Sequence, residues 1–309
     1  MPERAPDRAR SRRLRRAVAA AAAEVSCSDP AAPPGAAISP RPADAHRQSS
    51  LDTTGPATTG PATTVPATTG AQRDASALSL LNRGTLEVEG RLVVASNATL
   101  YCTVRDEDRE AHCVYKPVAG ERPLWDFPAG SLAGREVSAY LVSSAAGWHL
   151  VPPTIFRDGP FGPGMCQLWI ESDETVDVLA LARSHDHPAL RQMAVFDAVV
   201  NNADRKIGHL LPDCDGRLFG CDHGVCFGED YKLRTVLWQW RGRGLPKPAL
   251  EALRRLQQAL AGGELVTELG RWLSPAELEA TRQRVELLLR HRIHPFPPDD
   301  WPAVPWPPV

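Results

Sequence analysis

The chain has 309 residues, a formal net charge of −2 and 23% charged side chains, enough for one large domain or two small ones. So even a balance excludes attraction of a polyanion by bulk charge, and nucleic acid is not an expected partner. No run reaches the ~20 apolar residues that a membrane-spanning helix needs.

The first of the predicted segments is a long extension. Residues 1–76 hold almost no large apolar side chains and include the repeat "PATTGPATTVPATTG". Such a composition buries too little surface to offset the entropy of ordering, so disorder is expected. Within it, "SRRLRRAVAAAAAEVSC" has a basic stretch followed by alanines. Its apolar part is too short and too weakly hydrophobic for an export signal, and Glu24 interrupts it. The chain has seven cysteines but no Cys-x-x-Cys pair. Cys214, Cys221 and Cys226 lack zinc-ribbon spacing. Reduced structural thiols in a cytoplasmic protein are the expectation.

Order is expected from near Leu78. "GTLEVEGRLVVASNATLYCTVRD" alternates like two strands, with a turn near Glu89-Gly90 and a polar break at Ser96-Asn97. "EAHCVYKPV" reads as a third strand ending at Lys116-Pro117, and "GERPLWDFPAG" as a loop. "REVSAYLVSSAAG" has helical spacing and stops at Gly147, with Glu136 in its first turn. "GMCQLWIES" is another short strand. "HPALRQMAVFDAVVNN" reads as a buried helix ending at Asn201-Asn202, and "HLLPDCDGRLFGCDHG" as a hairpin around Asp215-Gly216. "SPAELEATRQRVELLLRH" has the marks of a capped helix: Ser274 before it, Pro275 in its first turn and Glu277 completing a capping box. The tail "PFPPDDWPAVPWPPV" is extended, with Trp301 and Trp306 as side chains that could dock. Strands with one helix come first and a helical half follows, an α+β layout in two lobes. The expected divisions are 1–76, 77–172, 173–296 and a tail from 297 to 309.

Five residues stand where chemistry could be done. Lys116 ends an apolar strand, at the rim of a core, where a snorkelling surface lysine is also common. Glu136 follows twenty residues later on a helix, where the helix dipole alone would favour a carboxylate. Together they fit a strand lysine on nucleotide phosphates, held by a helix glutamate. Asp204, directly after a buried helix, could orient a hydroxyl nucleophile and accept its proton, or make local turn hydrogen bonds. Arg205 could neutralise Asp204 or contact phosphate. Asp222 leaves the hairpin beside His223-Gly224, where a carboxylate can bind a hard cation and leave room for phosphate.

The ordered set of strand Lys116, helix Glu136, "DRKIGH" and "DHG" resembles the phosphatidylinositol 3-/4-kinase-like branch of the protein-kinase-like superfamily, which includes HipA-type kinases. Over about residues 78–296 the chain also resembles an actinobacterial family placed near these kinases, through "YKPVAGERPLWDFP", "REVSAYLVS", "VPPTIFRDGPFGPG" and "KLRTVLWQW". The resemblance implies a two-lobed protein-kinase-like fold and an ATP-dependent phosphotransferase using Mg²⁺ or Mn²⁺. Its partners would be a nucleotide and a phospho-acceptor, protein or small molecule. Lys116 would bind phosphates with Glu136 as its partner. Asp204 would be the catalytic-loop aspartate and Asp222 the metal ligand. Ser96, Asn97 and Thr99 would lie in the loop over the phosphates, and Gln167 to Trp169 near adenine.

The chain departs from that pattern twice. His209 stands where the family carries a metal-binding Asn, and imidazole suits softer metals than magnesium. "VASNATLY" holds no glycine. These departures motivate a second reading, a pseudokinase that holds nucleotide and signals through partners. A third, a metal-dependent hydrolase, would use Asp204, His209, Asp222 and His223 as ligands but leaves Lys116 and Glu136 unexplained. "SHDHP" reads as a loop before a Pro-started helix, and "HRIH" as a helix end. Arg234, Arg241 and Arg243, near Trp238 and Trp240, could hold an anionic substrate or be solvated.

Overall fold

The structure, a computed structural model, describes residues 70–92 and 97–308. The Pro/Ala/Thr-rich extension up to residue 69, with its signal-like stretch, and Ser96 lie outside the described residues. The first element, helix α1 (Gly70–Arg83), begins upstream of Leu78. It sends Leu80 and Leu81 into a core with Cys102, Val104, Cys113, Tyr115 and Cys166.

Those partners belong to a five-stranded antiparallel sheet. Its strands are β1 (Thr85–Arg91), β2 (Leu100–Arg105), β3 (Glu110–Pro117), β4 (Thr154–Gly159) and β5 (Gly162–Leu168), in the order β1-β2-β3-β5-β4. The turn expected at Glu89-Gly90 is a β-bulge between Val88 and Gly90 instead. The strand runs on to Arg91, and Leu92 N donates to Thr99 O at 2.8 Å to close the loop. A bulge absorbs one extra residue without ending the ladder. β4 follows Pro152-Pro153, in a stretch to which the sequence reading assigns no element.

The period of two along β3 decides where the lysine goes. Cys113 and Tyr115 face the α1 core, so Lys116 faces the opposite side. There its register partner Met165 packs with Ala133 and Val137 of helix α2 (Leu132–Ala145). At Gly164 a side chain would run into the Lys116 carbonyl. The glycine thus permits the close β3–β5 approach beside the lysine.

The larger core surrounds helix α4 (Pro188–Val200), which follows a short helix α3 (Val178–Ala182). Leu190, Met193, Phe196, Val199 and Val200 are buried in it with Trp148, Leu210, Phe227, Trp240 and Leu253. The hairpin β6 (Leu210–Pro212) and β7 (Leu218–Gly220) lies beside it. Helices α5 (Lys247–Leu260), α6 (Glu264–Leu269) and α7 (Pro275–His291) complete the fold. Ser274 caps α7 as expected, accepting from Glu277 N at 3.1 Å while Glu277 accepts from Ser274 N at 2.8 Å. Glu277 has a second task. With its other oxygen it pairs with buried Arg135, tying α7 to α2. The result is an α+β arrangement of a five-stranded antiparallel sheet, a two-stranded hairpin and helices. Among the described residues no helix is long and apolar enough to cross a membrane.

The tail crosses the helical part as an extended segment. Ala303 O accepts from Thr235 N at 3.0 Å and from Trp238 Nε1 at 2.7 Å, and Pro308 O accepts from Ile207 N at 2.9 Å. Trp301 is partly buried against the domain, whereas Trp306 is 88% exposed and does not dock.

Candidate active site

Lys116 Nζ lies 2.6 Å from Glu136 Oε1 and 2.9 Å from Asp222 Oδ1. A β-strand, a helix and a post-hairpin loop thus converge on one ammonium. Burial works against the lysine's charge, but Asp222 and Glu136 outweigh it and hold its pKa above the ordinary lysine value. Glu136 is only 2% exposed. It does not lie in the first turn, because α2 begins at Leu132. Glu121 occupies that helix start instead, accepting from Ala133 N at 2.8 Å and Leu132 N at 3.2 Å. Glu136 is fixed on its other oxygen, Oε2, by His223 N at 2.8 Å.

Asp222 has a left-handed backbone with φ 60°, a conformation that Asp tolerates better than most residues. Its side chain, 49% exposed, is held well below the ordinary carboxylate pKa, chiefly by Lys116. Oδ2 lies 3.4 Å from His209 Nε2. Burial drives the His209 pKa down to about 4, against the pull of Asp222, so the imidazole is neutral at pH 7. Lys206 N donates to Nδ1 at 3.4 Å, which puts the ring proton on Nε2, facing Asp222. As placed, His209 orients the carboxylate as a donor.

Asp204 enters the same cleft, of about 590 Å³, whose walls also include Asn97, Lys116, Glu136 and Asp222. Burial raises its pKa, opposed by Lys206 at 3.2 Å and Arg234 at 3.4 Å. Asn202 Oδ1 accepts from Asp204 N at 2.9 Å and so fixes the backbone there. Arg205 points the other way. It is fully buried and pairs with Asp197, Nε to Oδ2 at 3.0 Å and Nη2 to Oδ1 at 2.9 Å. It therefore touches neither Asp204 nor the cleft. Thr99 is buried and its hydroxyl turns to Asn97 O. Asn97 faces the cleft while its Oδ1 accepts from Arg122 N at 2.9 Å. Gln167 is buried on Thr154 Oγ1 at 2.8 Å.

The donor chemistry fits a divalent cation held by few protein atoms. Asp222 supplies a half-exposed carboxylate, and the remaining positions would be water and phosphate oxygen, the usual habit of Mg²⁺. Among the described residues no group of three or more His, Cys, Asp or Glu side chains is placed to hold a metal. The four-ligand set of the hydrolase reading does not assemble. His223 is buried, with Nε2 2.6 Å from Arg205 Nη2.

Over 263 residues the chain is 45% identical to Protein Rv2133c of Mycobacterium tuberculosis, covering 74% of this chain and 94% of that protein. The chain belongs to the Rv2133c family. No protein-family model matches it. Solved structures similar to this Rv2133c-family chain include the Golgi casein kinase with Mn/ADP bound, at 11% identity, 72% of this chain, 76% of that chain and a TM-score of 0.47. The Helicobacter pylori proinflammatory kinase CtkA matches at 10% identity, 69% of this chain, 94% of that chain and a TM-score of 0.38.

Sequence reasoning missed the supports of this Rv2133c-family site. Asp197 is an acid inside the apolar run "MAVFDAVV", which was a signal for a buried charge pair. Asn202 looked like a helix end only. His187, from "SHDHP", caps α4 through Nδ1, which accepts from Leu190 N at 3.2 Å. His294, from "HRIH", is buried beside Trp240.

His223 and His294 make stability depend on pH. Burial lowers both, His294 to about 4 and His223 well below the ordinary value. A base depressed in the fold stays neutral while the unfolded chain takes up the proton, so stability is complete above pH 6.5 and is lost as pH falls toward 4. Each histidine contributes up to about 1.4 kcal/mol per pH unit within that window. The melting temperature is expected to fall measurably between pH 7 and pH 5, and a flat profile would contradict the neutral assignment.

Proposed function

We propose that the chain is an ATP-dependent phosphotransferase with a two-lobed, protein-kinase-like arrangement of the phosphatidylinositol 3-/4-kinase-like type. The observation that carries this reading is Lys116 held between Glu136 and Asp222 at the wall of a cleft shared with Asp204. Strand lysine, helix glutamate, loop aspartate and post-hairpin aspartate are the parts that phosphoryl transfer needs for positioning and charge stabilisation.

In this reading Lys116 binds phosphate oxygens, and Glu136 holds the lysine in place. Asp222 would hold Mg²⁺ or Mn²⁺, which when bound neutralises phosphate charge. Asp204 accepts the proton of the acceptor hydroxyl as its oxygen bonds to the γ-phosphorus. The bridging P–O bond breaks and its electrons leave on the nucleoside diphosphate. The raised pKa of Asp204 makes it a stronger base than a solvated aspartate. Asn97 would stand near the phosphates.

The test is calorimetric titration with ATP in Mg²⁺ and in Mn²⁺. Saturable binding is expected, weakened at least tenfold in Lys116→Ala and in Asp222→Asn, the latter chosen because Asn also accepts a left-handed backbone. No binding with either metal would end the proposal. One observation favours a second reading, a nucleotide-binding module without transfer: the His209 proton faces Asp222 where the related kinases place a ligand atom. Binding without any phosphotransfer or ATP turnover would select it.

A further inference from the structure

The cleft beside Asp204 has an outer wall that the transfer chemistry does not use. Trp125 and Trp301, distant in sequence, flank Lys232, whose ammonium lies 4.8 Å and 5.0 Å from their ring centres. Lys232 also pairs with Asp126 at 3.1 Å. Trp125 is nonetheless 83% exposed, so most of its indole is open. Trp301 lines the cleft, and its Nε1 is shut off from solvent with no acceptor among the described residues.

The charges around the cleft divide sharply into committed and uncommitted groups. Glu121 is taken by the N-terminus of α2, Asp126 by Lys232, Glu136 by Lys116 and His223 N, and Asp222 by Lys116 and His209. The Arg122 side chain, by contrast, pairs with no carboxylate among the described residues. Arg234 spends Nε on Ala203 O at 2.6 Å and Nη2 on Asp204 at 3.4 Å, leaving Nη1. What the wall still offers a ligand is guanidinium donors and an indole face. Guanidinium groups select phosphate or carboxylate, and an indole face selects a flat ring or the C–H face of a sugar. The cleft's volume suits a small molecule.

We propose that this wall is the acceptor subsite and that the acceptor is a hydroxyl-bearing ring carrying an anionic group, a sugar phosphate or sugar acid. Trp125 stacks the ring, Arg122 and Arg234 take the anion, and Asp204 takes the hydroxyl proton. The inference rests on the phosphotransferase reading. A nucleotide is also a ring with an anion. The cleft lining includes none of Gln167, Leu168 or Trp169, where adenine was expected, and the variants below tell an acceptor wall from a nucleotide wall.

The test uses the full chain and tryptophan fluorescence, with Mg²⁺ and a non-hydrolysable ATP analogue titrated separately. The probes are hexose and pentose monophosphates, glucuronate, free glucose and inorganic phosphate. At least one sugar phosphate or glucuronate should quench saturably, and at least tenfold more tightly than glucose or inorganic phosphate. Phosphate-bearing and carboxylate-bearing probes tell the two anion sources apart. Arg122→Ala and Trp125→Ala, both at surface positions, should weaken that probe at least tenfold and the ATP analogue less than twofold. If no probe binds while the analogue does, the subsite is wrong and the phosphotransferase reading stands. If the two variants weaken the analogue instead, the wall belongs to the nucleotide. If a probe binds and no nucleotide does, the ring-anion site stands and the phosphotransferase reading fails.

Discussion

Asp197→Ala is expected to cost about 3–5 kcal/mol of folding stability, the usual loss when one member of a buried ion pair is removed. Arg205 and Asp197 are both fully buried. Removing the carboxylate leaves a guanidinium without counter-charge beside His223, which is itself neutral. Its remaining bonds, to Cys221 O at 3.1 Å and His209 O at 3.4 Å, are to dipoles and do not compensate a charge. For a chain of this size the melting temperature should fall by roughly 10 °C. The double variant Asp197→Leu/Arg205→Met should recover much of the loss, since an apolar pair of similar volume avoids the desolvation cost. Denaturant titration of the two singles and the double measures the coupling. A single-variant loss below ~1 kcal/mol would mean that the pair does not hold this region together.

On the phosphotransferase reading, Asp204→Asn should leave the fold and the nucleotide affinity nearly unchanged and lower the rate of transfer by about 10²–10⁴, the range for loss of a general base. Lys206 and Arg234 now pair with different carboxylate oxygens, and the amide keeps one acceptor oxygen for one of them. It cannot accept a proton at the reacting hydroxyl. The separation of effects is what matters: unchanged ATP affinity with collapsed turnover identifies the base, and a fall of less than fivefold in turnover removes Asp204 from that role. The opposite pattern, lost affinity, is expected of Lys116→Ala.

The convergence of Lys116, Glu136 and Asp222 was legible because each sits at the end of, or on, an element with a clear period. The strand "EAHCVYKPV" ended at Lys116, at the rim of a core, and the Asp-Gly turn at 215–216 placed the hairpin that delivers Asp222. The start of α2 was not legible. Ala133 and Gly134 give no apolar rhythm, and Glu121, far back in the chain, supplies the helix cap. Arg205 misled for a related reason. Its neighbour in sequence is Asp204, but adjacent side chains on extended backbone point apart, and its counter-charge lies eight residues earlier. β4 was hidden by its two preceding prolines, although an edge strand tolerates them well. The wall of Trp125, Lys232 and Trp301 joins three distant segments, and no local pattern signals such a contact. Asn97 could be placed beside the cleft, but its bond to Arg122 N could not be read from spacing.

The Arg205 side chain also bears on the spacing of the two cleft aspartates, Asp204 and Asp222. Asp204 immediately precedes it, and Cys221, whose carbonyl it holds, immediately precedes Asp222. One buried guanidinium is therefore riveted to the backbone next to both carboxylates. Their separation is fixed when the chain folds, before any ligand arrives. In the phosphotransferase reading that spacing is preorganised, and its reorganisation cost falls on folding stability and not on the transfer step.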